Sequence, residues 1–543
     1  MKNKEILILG ILLALMLGGT YLRWYHINYP VLGYHNNKEV HYLSEARNFM
    51  REGFFRYGFF VPAIDYPALS DSPTGAHSDT FPTISILVGL AFMLIRSASV
   101  SAARMIGILF VIGTIPLMYL IVKKLFIRED MAVASAVITA ILPLTVFFSH
   151  NVQLMNPGLF FLTLSFYLFL KWKDERIPRQ LILSSFFFAL AGITKYDYFI
   201  MGLLLLFIFP YKSFIKGKNK KITVLSCLMM LLIFPIWYFY SNDIVAVQYN
   251  TSRIANPEMV NYLQIFDASQ WTTIEPYFAD SWTMIGTYFA LFGLLIAIYM
   301  FIKKREFGEG FLIALFVVSL FYFMVMFFKI KGHSYHMYPM VPFFIIAISY
   351  FIARISEVVK VLKVEGKPIP YLNIILIAIL LTSMYFPMQD SWQRQFDTQF
   401  FGLDVAGEYI KENKIEGERV MHSSHQAYGV LWHGDIKGTR GIPSTVEEMK
   451  FAEEKLNATW IFIYNWDFKR VMENTELWSY ISNNYGLKQV GFFRLKETEF
   501  QLVYMLFKKG GTFDGNLNLF IQGKPMGQKD YELSSGIVRL YIL

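Results

Sequence analysis

The sequence predicts a polytopic α-helical membrane protein of about eleven spans, ending in a soluble α/β domain. Of its 543 residues, 55% are hydrophobic and 17% are charged, whereas soluble proteins carry about 25% charged residues. The mean hydropathy is +0.39. Several apolar runs approach the ~20 residues that a spanning helix needs.

The apolar segments fix the order of the predicted spans. They are 5–22, 104–122, 131–149, 157–171, 180–194, 196–210, 222–240, 283–302, 311–328, 336–353 and 370–387. Basic residues cluster in alternate loops, as in Lys212–Lys221, and such loops stay in the cytoplasm. We therefore expect a cytoplasmic N-terminus, with loops 23–103 and 241–282 outside. This count requires that Phe81–Ile95 does not cross, and its length suits an interfacial or re-entrant helix.

The composition changes near Asp390, where charged and amide residues become frequent. Apolar strand patterns such as Trp460–Tyr464 and Gln501–Phe507 are separated by helical patterns such as Val446–Leu456. We expect a transmembrane domain over residues 1–389 and an extracytoplasmic α/β domain over residues 390–543.

Cysteine and charge exclude other classes of protein. Cys227 is the single cysteine, which excludes a disulfide scaffold and a cysteine metal site. The net charge of +9 comes from loops beside apolar runs, so nucleic acid is not an expected partner.

The first outer loop has the pattern of an amphipathic helix. Glu39, Tyr42 and Ala46 share one helical face. Such a helix along the membrane surface would hold the Glu39 carboxylate beside apolar groups, where it could act as a general base. The alternative is an ordinary surface helix with a solvated Glu39.

Further along this loop, His77 and Asp79 precede the short apolar stretch, and Asp65 and Asp71 lie upstream. These groups could bind a divalent metal, although no fixed ligand spacing is present. The alternative is that they cap turns and helix starts.

Five short motifs, in order, resemble the dolichyl-phosphate-mannose–protein mannosyltransferases and the related lipid A aminoarabinose transferases, whose fold is called GT-C. They are Glu39-x-x-Tyr42 with Ala46 and Gly53, His77-x-Asp79-x-x-Pro82, Ala102-Ala-Arg104, Ser149–Pro157 and Gly192-Ile-Thr-Lys195. Lys38 stands where many family members have the catalytic Asp, which makes Glu39 the candidate base. The resemblance extends over roughly residues 5–390.

The resemblance implies inverting transfer of a sugar from a polyprenyl-phosphate donor to a protein, lipid or glycan acceptor on the outer face. Glu39 and Asp79 are the candidate catalytic residues. The candidate substrate-binding residues are Tyr42, His77, Arg104, Lys195, Lys331, His333 and His336. Cations near the leaving phosphate would stabilise the charge that grows there.

Simpler interpretations remain open for the cations. Lys195 and Asp197 could form a structural ion pair, and Arg104 could anchor a span end. Two other functions are also open: a ligase that transfers a whole glycan, and a non-enzymatic transporter of lipid-linked sugars. Scattered acidic residues in loop 241–282 disfavour the ligase, and the absence of a sequence repeat disfavours the transporter.

Overall fold

The computed structural model describes most of the chain, in two compact units. The described residues are 2–61, 77–215, 220–248, 252–253, 265, 267–360, 363–364, 367–368, 371–423, 425–439, 441–496, 499–515 and 526–543. The first unit, here the helical unit, comprises Met1–Ile27, Arg104–Tyr240 and Ala255–Gln393. The second, here the sheet unit, comprises Asn28–Ala103, Ser241–Ile254 and Arg394–Leu543.

Seven described helices are long and apolar enough to cross a membrane, which makes this a multi-pass membrane protein. They are Lys4–Trp24, Val100–Phe126, Lys220–Gln248, Met284–Lys304, Phe307–Gly332, Ser334–Val358 and Leu372–Asp397. An eighth span is possible where Glu129–Ile141 and Pro143–His150 meet at a bend of 44°. Pro143 lacks the N–H that would continue the first helix, and its ring disfavours a helical residue before it.

The remaining helices of the helical unit are shorter or carry more polar residues. They are Met155–Glu175, Pro178–Thr194, Tyr196–Met201 (a 3₁₀ helix), Gly202–Phe207, Tyr211–Ile215 and Ala268–Trp282. They include the segments expected to span at 157–171, 180–194 and 196–210. The described helices therefore support seven or eight spans by length and composition, and the count of eleven stays a prediction.

Gly293 allows two spans to pack closely against each other. A Cβ atom on Gly293 would lie 2.1 Å from the main-chain oxygen of Ala347. The helices Met284–Lys304 and Val341–Lys360 therefore approach each other closely at a point where only glycine fits.

The sheet unit contains a seven-stranded mixed sheet, which confirms the expected β-containing C-terminal domain. The strands of the chain are β1 (His77–Ser78), β2 (Ser252–Arg253), β3 (Lys363–Val364), β4 (Lys367–Pro368), β5 (Arg419–His422), β6 (Lys437–Gly438), β7 (Ala458–Tyr464), β8 (Tyr485–Lys496), β9 (Glu499–Lys509), β10 (Gly527–Leu533) and β11 (Gly536–Ile542). The large sheet has the order β10-β11-β8-β9-β7-β5-β6, with β5 parallel to β6 and β7 and the other pairs antiparallel.

Helices cover this sheet and bury its apolar residues. The helices after residue 400 are Leu403–Asn413, Gly429–Gly434, Val446–Leu456, Asn465–Glu473 and Thr475–Asn484, with a short 3₁₀ turn at His425–Ala427. Ile461 and Ile463 of β7 and Met505 and Phe507 of β9 lie in one buried cluster with residues of these helices.

Most of the first long loop, Asn28–Ala103, belongs to the same unit. It supplies helix α2 (Asn36–Glu52) and helix α3 (Thr83–Ile95), counted after α1 (Lys2–Trp24). Gly53 ends α2 with a φ of 82°, a left-handed conformation that favours glycine, and its N–H donates to the Phe49 oxygen. The α3 helix has 13 residues, in agreement with the expectation that Phe81–Ile95 is too short to cross directly.

Candidate active site

The candidate residues are divided between the two units. Glu39, Tyr42, His77 and Asp79 lie in the sheet unit. Arg104, Lys195, Lys331, His333 and His336 lie in the helical unit.

Glu39 lies in the first turn of α2 and is 1% exposed. The start of this helix is fixed by Asn36, whose Nδ2 donates to the Gln426 oxygen at 2.6 Å and whose Oδ1 accepts from the Gly429 N–H at 3.1 Å. The predicted helix is therefore confirmed, but both of its sides are largely buried. A carboxylate in such a place is removed from bulk water, which suits a general base that must bind a substrate hydroxyl.

Tyr42 lies next to a polar contact between α2 and α3. Its ring is 5.2 Å from that of His41, measured between centroids. His41 Nε2 lies 3.3 Å from Glu45 Oε1, and Ser85 of α3 donates to Glu45 Oε2 at 2.7 Å. These contacts hold the tyrosine-bearing turn of α2 in place.

Asp79 follows directly after a short parallel pairing of β1 with β2, in which His77 is opposite Ser252. Asp79 is half-buried. The side chain of His77 and the upstream residues Asp65 and Asp71 lie outside the described part of the chain. In the described part, no group of three or more His, Cys, Asp or Glu residues could hold a metal ion.

In the helical unit, Lys195 and His336 meet at one carboxylate. His336 Nδ1 lies 2.8 Å from Asp197 Oδ2, and Lys195 Nζ lies 3.9 Å from the same oxygen. Asp197 and His336 are buried, whereas Lys195 is partly exposed. The tertiary structure thus places together two candidates that are 141 residues apart in the sequence, and adds Asp197 to them.

Local backbone features position this cluster. The helix Pro178–Thr194 ends at the extended Lys195, and a 3₁₀ helix begins at Tyr196 and carries Asp197. His336 lies in the 3₁₀ helix Ser334–Met340, where its carbonyl oxygen accepts from the Tyr322 hydroxyl at 2.6 Å. Lys329 also acts electrostatically on Asp197 and His336. The site therefore has more positive than negative groups around one carboxylate.

Lys331 and His333 lie nearby in the chain but have other partners. Lys331 Nζ donates to Gln270 Oε1. The His333 ring stacks on Tyr335 with centroids 5.3 Å apart and an interplanar angle of 12°. In turn, the Tyr335 ring lies 4.5 Å from that of His336.

Arg104 holds the chain that follows the first span. Its Nη1 donates to the main-chain oxygens of His26 at 3.2 Å and Ile27 at 3.1 Å. The side chain is buried, at 3% exposure for the residue. These contacts agree with the alternative of an anchor, and a substrate-binding role for Arg104 stays a prediction.

Sequence reasoning missed two buried charged residues. The sequence pattern indicates Asp197 only as an ion-pair partner of Lys195, although an acid between two apolar runs is itself a signal of function. Arg23 was not considered; its Nη1 donates to the oxygens of Gly19 at 2.9 Å and Ala140 at 2.8 Å. Many apolar spans end in an arginine, so this pattern does not indicate that the side chain of Arg23 binds main-chain oxygens.

Comparison with known proteins finds one family whose model matches part of the chain. Residues 79–239 match the family described as dolichyl-phosphate-mannose-protein mannosyltransferase. The match covers 161 of the 543 residues, so it identifies this segment of the chain as similar to that family. That family consists of glycosyltransferases, so the match favours a membrane glycosyltransferase over the transporter alternative. No curated protein matches the chain by sequence.

Solved structures of GT-C enzymes share the fold. The oligosaccharyltransferase AglB from Archaeoglobus fulgidus, solved with an inhibitory peptide and a dolichol-phosphate, aligns with a TM-score of 0.60 and 13% identity, over 92% of this chain and 74% of that chain. ArnT from Cupriavidus metallidurans aligns in its apo state with a TM-score of 0.56 and 11% identity, over 93% of this chain and 98% of that one. ArnT has also been solved bound to undecaprenyl phosphate.

Proposed function

We propose that this protein is a GT-C membrane glycosyltransferase, which transfers a sugar from a polyprenyl-phosphate donor to an acceptor hydroxyl on the extracytoplasmic face of the membrane. The observation that carries this proposal is a 3₁₀ helix in the helical unit, Tyr196–Met201, which contributes both to a cation-rich cluster and to the lining of an apolar cavity. Such a pairing suits a ligand with an anionic head and an apolar chain.

The cavity has a volume of about 660 Å³, within the range of ~300–1,000 Å³ for small-molecule sites. It is lined mainly by aliphatic and aromatic side chains of the helices Pro178–Thr194, Gly202–Phe207 and Lys220–Leu231. Phe199 and Ile200 of its lining belong to the same 3₁₀ helix as Asp197. This shared helix supports a binding mode in which an isoprenoid chain occupies the cavity and its phosphate lies at the cluster.

Lys195, Lys329 and His336 are the groups of this cluster that would bind the phosphate. Asp197 positions His336 through the 2.8 Å contact. As the sugar leaves the phosphate, negative charge grows on the phosphate oxygens. Cations held in a site of low dielectric stabilise that charge more than they would in water.

The reaction needs one proton transfer and one displacement. Glu39 takes the proton of the acceptor hydroxyl, and the hydroxyl oxygen attacks the anomeric carbon of the donor. The bond from that carbon to the phosphate oxygen breaks, and its electron pair leaves with the polyprenyl phosphate. Because attack comes from the side opposite the leaving group, the anomeric centre inverts.

The test is sugar transfer from radiolabelled polyprenyl-phosphate sugars in membranes that contain the wild type or Glu39→Gln. General-base catalysis contributes about 10²–10⁴-fold, and we expect a loss of that size. Glu52→Gln is the matched control, because Glu52 lies on the same helix and pairs with Arg56 at 2.7 Å. Wild-type rates in Glu39→Gln would exclude this base. A parallel arm with EDTA tests whether a divalent metal takes part.

A second candidate is the transfer of a whole oligosaccharide, favoured by the fold shared with AglB at a TM-score of 0.60. The same membranes distinguish the two functions when the donor is varied. Transfer from monosaccharide donors supports the first proposal. Transfer only from oligosaccharide donors supports the second.

A further inference from the structure

A second cavity, which has a polar lining, lies in the sheet unit. It is at the C-terminal end of α2, whereas the candidate base Glu39 is at the N-terminal end of that helix. It has a volume of about 700 Å³. Its walls come from the last turn of α2, the end of the helix Leu403–Asn413, the loop before β5, and the edge strand β6. The five cations in its lining are Arg51, Lys411, Lys414, Arg419 and Lys437.

Three carboxylates also line this cavity, but two of them are already paired. Arg51 donates two hydrogen bonds of 2.8 Å to Asp435. Glu418 accepts from the Ile415 N–H and from Trp460 Nε1, both at 2.9 Å. Glu416 is the third.

Further cations hold these two carboxylates from outside the lining. Arg47 Nη1 lies 3.1 Å from Asp435 Oδ1, and Lys508 Nζ lies 3.6 Å from Glu418 Oε2. The lining and its partners together therefore carry seven positive and three negative side chains. Within the described residues, neither Lys411 nor Lys437 has a carboxylate within 4.0 Å, so their charges remain available to a ligand.

The pKa of Lys414 reflects this surplus of positive charge. Burial lowers the pKa of its ammonium group, and Asp435 opposes this shift. The positive charges of Arg47, Arg51 and Lys411 lower the pKa further. An anion in the cavity would relieve the repulsion among these cations.

We propose that this pocket binds an anionic group of the acceptor, a phosphate or a sugar carboxylate. The proposal rests on the proposed function for its link to the acceptor. Lipid-linked donors fit less well, because Ile415 and Ile436 are the only large apolar residues in the lining and an isoprenoid chain needs apolar walls. Arginine and lysine side chains bind carboxylate and phosphate with charge-assisted hydrogen bonds.

The position of Arg51 on α2 gives the distance between this pocket and the candidate base Glu39. Arg51 lies 12 residues after Glu39 on the same helix, which corresponds to about 18 Å at 1.5 Å per residue. An acceptor held here would therefore carry its anionic group roughly that far from the hydroxyl that reacts at Glu39. The pocket would then select acidic acceptors of a minimum length.

The first test measures binding with no donor present. Purified full-length protein is titrated with inorganic phosphate, glucuronate or glucose at constant ionic strength, and its thermal unfolding is followed by tryptophan fluorescence. We expect saturable stabilisation by phosphate or by glucuronate, and none by glucose. The anion that stabilises identifies which of the two chemistries the pocket takes.

The matched variants are Lys411→Gln/Lys437→Gln and the control Lys455→Gln/Lys469→Gln, whose lysines are exposed elsewhere in the same unit. We expect binding at least about tenfold weaker in the first pair, the loss of one or two charge-assisted contacts, and no change in the control. The proposed anion site is overturned if the two double variants bind the anion equally well, or if neither anion has a saturable effect.

The second test joins the pocket to the acceptor. In the transfer assay, Lys411→Gln/Lys437→Gln should raise the acceptor KM about tenfold and leave kcat within twofold. An unchanged acceptor KM overturns the acceptor assignment. Failure of Glu39→Gln to slow transfer would overturn the proposed base and leave the binding result unaffected, so the two failures are distinguishable.

Discussion

Replacement of Asp435 by Asn tests whether buried charge pairs stabilise the sheet unit. Asp435 accepts two 2.8 Å hydrogen bonds from Arg51 and lies 3.1 Å from Arg47. The Arg51 side chain is 48% exposed and that of Arg47 only 9% exposed. The two ion pairs therefore contribute unequally to the stability of the sheet unit.

The expected loss in the free energy of unfolding follows from this difference in exposure. The pair with the exposed Arg51 is worth up to about 1 kcal/mol. Removing the partner of a buried charge costs about 3–5 kcal/mol. Arg47 keeps part of its stabilisation, because it also donates to the Trp432 oxygen at 3.0 Å and lies over the Trp432 ring at 4.6 Å. We therefore expect a total loss of about 3 kcal/mol.

For a unit of 150–250 residues, each kcal/mol shifts Tm by about 2–4 °C, so the expected decrease is about 6–12 °C. The assay is thermal unfolding of the full-length protein followed by tryptophan fluorescence. Asp467→Asn is the control, because its partner Arg470 is exposed and the pair is worth less than about 1 kcal/mol.

The dependence on pH gives a second check. Burial acts to raise the pKa of the Asp435 carboxyl, but the Arg51 hydrogen bonds and the Arg47 charge outweigh it, and the pKa lies below its usual value. The folded state therefore binds fewer protons than the unfolded state. The stabilisation is complete above about pH 4 and is lost as the pH falls through the folded pKa. A Tm that is equal in Asp435→Asn and wild type, or a difference that widens below pH 4, refutes this reasoning.

Three further predictions concern the helical unit. Asp197→Asn should destabilise it by about 3 kcal/mol, because His336, at 2.8 Å, and Lys195 lose a buried carboxylate partner. Asp174→Asn is the control; it removes an exposed ion pair and should cost less than about 1 kcal/mol. Equal Tm values for the two variants would contradict this prediction. Lys195→Gln should raise the donor KM at least tenfold in the transfer assay, and an unchanged KM would remove Lys195 from the phosphate site. Gly293→Ala should lower Tm, since its Cβ would lie 2.1 Å from a main-chain oxygen, whereas Gly10→Ala, with no atom within 4 Å, should not.

Much of the architecture could be predicted from the sequence because the signals are local. Spanning helices follow from apolar runs, and the sheet domain follows from the change in composition near Asp390. Helix α2 follows from the spacing of Glu39, Tyr42 and Ala46. The resemblance to the mannosyltransferase family follows from short motifs that keep their order along the chain, and residues 79–239 match that family.

The number of spans was harder to predict. Segments 157–171, 180–194 and 196–210 were assigned from loop charges rather than from their own length. The structure breaks the last of these into a 3₁₀ helix and the six-residue helix Gly202–Phe207. A sequence window averages over such a break, because it registers apolar content and not the hydrogen-bonding pattern.

The amino-acid sequence alone was sufficient to predict a multi-pass membrane protein that resembles glycosyltransferases and has a carboxylate-bearing helix after its first span, because composition and short motifs carry that information. The packing of the folded chain is what brings Lys195 and His336 to Asp197 and places Arg51 and Lys411 in the lining of one cavity. These neighbours are separated by more than a hundred residues in the chain. Long-range contacts of single side chains depend on how whole elements pack, and no local pattern records them.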